Sequence, residues 1–143
     1  MRDIKYIVCH CTATDQDAKV EAILNYWRTK LGWKNPGYHF IIEKDGTIHN
    51  LQPIEKPSNG VRGYNANSIH VSYIGGKLQD NRTDKQCDSI EAVVKVMKSM
   101  FPKAEILGHR DLSDDLDGDG IIQPDEWTKM CPRFNAKEEF KYL

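Results

Sequence analysis

Three fragments, far apart in the chain, carry side chains that could together do metal chemistry. They are Cys9-His10-Cys11-Thr12-Ala13-Thr14, Gly108-His109-Arg110-Asp111 and Lys129-Met130-Cys131-Pro132. Neutral imidazoles from His10 and His109 and a thiolate from Cys131 would give Zn²⁺ three protein ligands. The fourth tetrahedral position would stay open to water, which separates a catalytic zinc from a structural one. Tyr38, in Gly37-Tyr38-His39-Phe40, and Lys129 are of the types that handle protons and stabilise charge in metal-assisted hydrolysis. Spacing alone does not bring these residues together, and a lone histidine at a strand end is more often structural than a ligand.

A fourth fragment, residues 115–126, fits the EF-hand loop pattern at its acidic positions. Calcium there would take carboxylates from Asp115, Asp117 and Asp119, the backbone of Ile121 and a bidentate Glu126, with Gly120 at the sharp turn. Ile122 stands at the apolar position of that loop. No helix is expected before Asp115, so a bound calcium would be structural, fixing the segment between His109 and Cys131. The competing account is an acidic surface loop ordered by its own backbone turns.

The elements that must position these groups follow from hydrophobic period. Residues 4–11 are β-rich and apolar and predict a central strand that ends near His10. Val20, Ile23, Leu24, Trp27 and Leu31 make a helical stripe over 17–31, closed by Gly32. Residues 38–43 and 47–51 flank Lys44-Asp45-Gly46, a hairpin signal. The polar stretch 53–67 is a long loop, and 69–74 is another strand ending at Gly75-Gly76. Thr83-Asp84-Lys85-Gln86 is a capping box ahead of a second helix with stripe Ile90, Val93, Val94, Met97 and Met100. Residues 104–107 form a short strand that delivers His109, and Asn135 caps a brief last helix. Alternating strands and helices indicate an α/β layer structure, and strand C-terminal ends are where open sheets of this type place ligands.

The 143 residues suit one domain, with no repeat, linker or low-complexity tract. A net charge of −1 with lysines and acids interspersed argues against nucleic acid as the main partner. No apolar run approaches a membrane span. The N-terminus enters a strand with no apolar signal segment, which implies synthesis in the cytoplasm. Cys9 and Cys11 flank His10 on one strand and so face away from it; they suit buried small hydrophobes, with a second metal site as the minor alternative. Cys87 suits a free thiol, and the cysteine usage suits a reducing compartment. His39 follows Tyr38 and faces the core if Tyr38 faces a cleft. His49 and His70 are expected to be partly exposed and solvated.

Six blocks, in order, resemble the zinc-dependent N-acetylmuramoyl-L-alanine amidases, the family of amidase-type phage lysozymes and peptidoglycan recognition proteins. They are Val8-Cys9-His10-Cys11-Thr12-Ala13-Thr14; Gly37-Tyr38-His39-Phe40-Ile41-Ile42 with Asp45-Gly46-Thr47-Ile48; Gly63-Tyr64-Asn65 with Asn67-Ser68-Ile69; Gly75-Gly76; Gly108-His109-Arg110-Asp111; and Cys131-Pro132. The resemblance covers almost the whole chain. It implies a single-domain amidase fold over 1–143, a mixed central sheet with helices on both faces, and the acidic loop as an insertion at 115–126. It implies zinc on His10, His109 and Cys131, and catalytic roles for Tyr38 and Lys129. The implied reaction is attack of zinc-activated water on the amide joining N-acetylmuramic acid to L-alanine, with Lys129 helping to bind the developing oxyanion. The implied partner is peptidoglycan or a muropeptide, met by a monomer, without nucleic acid or membrane. The cell wall would be reached by lysis or a dedicated export route.

The chain departs from the family pattern twice. Gly60 stands where many members carry a histidine before Gly-Tyr-Asn, and His70 stands where members read glycine after Ser-Ile. Both are expected beside a substrate wall, away from the metal ligands, where they bear on which peptide stem is preferred. Arg62 could hold a stem carboxylate, or be an ordinary surface arginine. A non-catalytic peptidoglycan-binding module on the same fold is the alternative function; the presence of Cys131, Lys129 and Tyr38 favours the enzyme. A calcium-responsive interaction protein would leave the other motifs unexplained.

Overall fold

The computed structural model describes residues 2–143. Five strands make one sheet: β1 (Tyr6–Cys11), β2 (Phe40–Ile42), β3 (Ile48–Asn50), β4 (Ser68–Tyr73) and β5 (Glu105–Gly108). Their order is β3-β2-β4-β1-β5, with β1, β2, β4 and β5 parallel and β3 antiparallel to β2 across the hairpin. The sheet is therefore mixed, and its parallel part is covered on both faces, as such sheets must be.

Side-chain alternation sorts the two faces. Ile7, Cys9 and Cys11 of β1 and Ile69, Val71 and Tyr73 of β4 pack against helix α2 (Asp84–Met100) through Ile90, Val93, Val94 and Met97. Phe134, Phe140 and the short helix α3 (Ala136–Glu139) close the same core. On the opposite face, Ile41 and Ile74 lie under helix α1 (Val20–Thr29) through Val20, Ile23 and Trp27. Val8 and Leu107 meet Val61 there, brought in by the long loop before β4. This second face is the one that carries His10, because the period of two places it beside Val8.

Element boundaries moved where local hydrogen bonds compete with regular pairing. Helix α1 starts at Val20 rather than three residues earlier. Asp15 takes the Asp17 N–H on its carboxylate and the Ala18 N–H on its carbonyl, which spends those donors on a turn. Tyr38 and His39 lie just ahead of β2, although His39 N–H still donates to His70 O and Leu51 N–H to His39 O. No helix among the described residues is long and apolar enough to cross a membrane.

Helix α2 is tied to the sheet by its capping residue pair. Thr83 Oγ1 accepts from Gln86 N–H, and Gln86 Oε1 accepts from Thr83 N–H. The fully buried Gln86 then donates from Nε2 to Ile74 O and Ile42 O, so one side chain satisfies groups on the helix end, β2 and the end of β4. Gln86→Leu is expected to cost about 3 kcal/mol, because it leaves the Ile74 carbonyl without its partner and removes the second bond to Ile42 O and the cap bond to Thr83 N–H. Equilibrium urea unfolding measures this as a lowered midpoint at unchanged slope.

Candidate metal centre

The register of the parallel strands brings the two candidate histidines together. Cys9 pairs with Gly108 across β1 and β5, so His10 and His109 emerge side by side at the carboxyl edge of the sheet, ring centroids 5.0 Å apart. His10 is buried, while His109 sits half-buried in the 3₁₀ turn His109–Leu112 that follows β5.

Cys131 arrives from the far end of the chain through a set of fixed contacts. Its carbonyl accepts from Arg110 N–H, and Pro132 O accepts from the buried Tyr73 hydroxyl at 2.8 Å. The Cys131–Pro132 peptide bond is cis. Gly108 permits the approach: a Cβ there would lie 2.6 Å from Pro132 Cδ, inside contact distance. Cys131 Sγ accepts from Cys11 N–H at 3.1 Å and lies 3.7 Å from His10 Nδ1. One donor atom each from His10, His109 and Cys131 lie within 4.8 Å of one another. Two imidazole nitrogens and a sulfur at this separation fit a tetrahedral zinc ion with one position left over.

The electrostatics suit a cation at their centre. Burial first, then the neighbouring His70 and His109, hold His10 well below the ordinary histidine pKa, so it is a neutral donor. Burial and then the Lys129 ammonium push His109 down to about 4. Burial and the nearby Cys11 thiol push Cys131 up, which a bound cation would reverse. Tyr38 is half-buried with its ring centroid 5.0 Å from that of His10, and its hydroxyl donates to Cys11 O at 3.3 Å. Burial raises its pKa far above the usual phenol value, which keeps it a neutral hydrogen-bond donor.

These groups line one open cleft of about 780 Å³, with Tyr38 on its wall and the exposed Lys129 on its rim. Trp27 and Trp33, stacked with centroids 6.1 Å apart, form an aromatic wall. Trp27 was legible in the sequence only as part of the α1 stripe, and Trp33 gave no periodic signal. Gly60 and the exposed Arg62 lie on the wall contributed by the long loop.

One expectation is overturned. His70 is not solvated but fully buried, with Nδ1 2.8 Å from His10 Nε2. It therefore touches a candidate metal ligand rather than standing apart in a substrate wall. Its place on β4, on the same face as His10, makes the contact. His39 is buried as expected, its Nδ1 accepting from His70 N–H at 3.0 Å and its Nε2–H donating to Lys56 O at 2.7 Å. Cys9 is buried, and burial pushes its thiol up to about 12; it behaves as a small apolar group. Among the described residues, neither Cys9 nor Cys11 joins a donor cluster.

The acidic loop draws carboxylate oxygens of Asp115, Asp117, Asp119 and Glu126 within 4.8 Å of one another. Its own backbone already uses them. Asp115 accepts from Gly118 and Gly120 N–H, Asp119 from Ile121 N–H, and the buried Glu126 from Leu116, Asp117 and Gln123 N–H. No helix enters the loop, since only a 3₁₀ turn ending at Leu112 precedes it. Arg110 leaves that turn to stack on Trp127, 3.9 Å from the ring centroid, so the loop's two ends are held together.

Fold and cleft together define an α/β protein with a three-donor pocket, able to hold a metal ion, at the carboxyl edge of its sheet. The family model for N-acetylmuramoyl-L-alanine amidase matches residues 1–133, and the chain belongs to that family. The endolysin of Escherichia phage T7 is 30% identical over 138 residues, which is 92% of this chain and 82% of the relative. N-acetylmuramoyl-L-alanine amidase LysC from Clostridium intestinale URNW superposes with a TM-score of 0.74 at 22% identity, over 96% of this chain and 82% of that one. Bumblebee PGRP-SA superposes with a TM-score of 0.77 at 20% identity, over 100% of this chain and 83% of that one. Membership places the chain among proteins that cut or bind peptidoglycan.

The depressed histidine pKa values make stability depend on pH with a definite sign. An unfolded chain takes up protons near the ordinary value of 6.5, whereas folded His39 and His109 resist until about 4. The stability these two histidines contribute to the metal-free protein is thus complete above about 6.5 and is lost as pH falls toward 4, at about 1.4 kcal/mol per pH unit for each. Urea midpoints of metal-free protein should fall steeply across this window, and a flat profile there contradicts the assignment.

Proposed function

We propose that the chain is a zinc-dependent amidase that hydrolyses the bond between N-acetylmuramic acid and the L-alanine of the peptidoglycan stem. The supporting observation is the convergence of His10, His109 and Cys131 donor atoms within 4.8 Å, in a cleft that also holds Tyr38 and Lys129. His10, His109 and Cys131 would hold the zinc. When bound, the ion supplies Lewis acidity, polarising a carbonyl and lowering the pKa of water toward ~7.

The chain's own groups do the rest. Lys129 sits on the rim with its charge close to His109, and in this reading it binds the oxyanion that develops on the scissile carbonyl. Tyr38, kept neutral by burial, can donate its phenolic hydrogen bond to the reacting water or to the departing L-alanine nitrogen. The Trp27 and Trp33 wall gives the glycan or stem an apolar surface to lie on, and Arg62 offers a charge for a stem carboxylate. One domain spanning 1–143 acts as a monomer on a cell-wall substrate, reached by lysis or a dedicated export route.

Digestion of purified peptidoglycan followed by mass spectrometry tests the reaction. New L-alanyl amino termini without new reducing sugars are expected. Binding without either product would favour the recognition-module alternative. Cys131→Ser is expected to lose both zinc and wall clearing, while Lys129→Ala and Tyr38→Phe keep zinc and lose about 10²-fold in kcat. Unchanged clearing by Cys131→Ser would end the zinc reading.

Calcium at 115–126, through Asp115, Asp117, Asp119, Ile121 and Glu126, is a separate and subordinate part of the proposal, resting on sequence pattern and carboxylate clustering alone. Removing calcium from zinc-replete protein should lower the melting temperature. No shift would leave the loop as one ordered by its own hydrogen bonds.

A further inference from the structure

Two departures from the family pattern, Gly60 and His70, meet in space. A Cβ built on Gly60 would fall 2.4 Å from both Cγ and Nδ1 of His70, so a side chain at 60 and the imidazole at 70 exclude each other. Gly60 therefore closes over the His70 ring, and His39 lies against it, with centroids 6.0 Å apart and planes at 19°.

Hydrogen-bond direction can be followed along this chain of rings without ambiguity. Asn65 Oδ1 accepts from the Val61 backbone N–H at 2.8 Å, which identifies that atom as the amide oxygen. The same oxygen is 2.8 Å from His70 Nε2, so His70 carries its proton on Nε2. A neutral imidazole has one N–H, so His70 Nδ1 is a bare acceptor. It faces His10 Nε2 at 2.8 Å, and His10 must supply the proton of that bond. His10 then carries its single proton on Nε2 and presents an unprotonated Nδ1 toward Cys131 Sγ, 3.7 Å away.

We propose that His70, oriented by Asn65 and held under Gly60, is a positioning residue that fixes the His10 tautomer and so prepares Nδ1 as a metal ligand. The inference rests on His10 being a zinc ligand. Neither His70 nor Asn65 touches the metal or the substrate in this role. Hydrogen bonding to the outer nitrogen of a ligating histidine fixes its ring orientation and raises its basicity. The chain thus supplies from β4 an orienting imidazole that fits only because position 60 carries no side chain.

Two measurements test this apart from catalysis. In metal-free wild-type protein, long-range nitrogen–proton NMR correlation of the imidazoles should show His10 and His70 protonated on Nε2. A His10 ring protonated mainly on Nδ1 overturns the proposal, and this readout needs neither a variant nor zinc. Chelator competition then gives zinc affinity. His70→Leu removes the acceptor and should weaken zinc by about 10- to 100-fold. His70→Asn, which can offer an amide oxygen at the Nδ1 position, should stay within about threefold of wild type. If His70→Leu stays within about threefold as well, or His70→Asn is as weak as His70→Leu, the acceptor role is wrong. A wild-type protein that binds no zinc overturns the functional reading instead, while leaving the tautomer result to stand or fall by itself.

Discussion

Parallel pairing of β1 with β5 on one side and β4 on the other is the constraint from which the site follows. The last β1–β5 pair, Cys9 with Gly108, leaves His10 and His109 as the next residues at the same edge. On the other flank, His10 pairs with Ser72 of β4, two residues beyond His70 on the same face. Because the side-chain period is two, a slip of one residue would turn His10 into the α2 core and Cys9 or Cys11 into the cleft. Burial of Ile7, Ile69 and Ile106 on the α2 face opposes that slip, so the packing of the core and the placement of the donors are one requirement.

That placement puts several polar rings inside the protein, which is tolerated only when their hydrogen bonds are made. His39, His70 and His10 form a linked series in which each ring nitrogen has a partner, ending on Lys56 O and Ser58 at one end and Asn65 at the side. The exception is the inward Nδ1 of His10, which faces Cys131 Sγ at 3.7 Å, while that sulfur also accepts from Cys11 N–H. A set of converging donors that is buried at His10 and half-buried at His109 and Cys131 is well suited to a cation. The long loop 53–67 supplies most of the outer partners, which explains why a segment with so little regular structure packs closely. Ser58 and Val61 from it are buried.

The acidic loop and the donor pocket show how clusters of similar appearance differ physically. In the pocket, two imidazoles and a thiol from three distant segments converge, and among the three donor groups only the sulfur takes a backbone N–H, that of Cys11. In the loop, the carboxylates converge while accepting from backbone N–H groups of the same segment. Such bonds order the turn by themselves, and the Arg110–Trp127 stack ties it to the strand end that carries His109. The loop's direct structural effect is to set the path from His109 to Lys129 and Cys131.

The residues by themselves determined the elements, because each has a local physical signature. The Thr83–Gln86 capping box marked the start of α2, the Asp45-Gly46 turn marked the hairpin, and the apolar run into His10 marked β1. The chemistry of His10, His109 and Cys131 was also legible, through fragments whose order resembles a known family. What the linear chain could not express was which strands lie side by side, since register and packing join residues separated by sixty positions or more. His70 is the clearest case. In sequence it stands out only as a departure from the family pattern after Ser68-Ile69, with nothing to say what it touches; only the β1–β4 pairing sets it against His10, and only the missing side chain at Gly60 leaves it room.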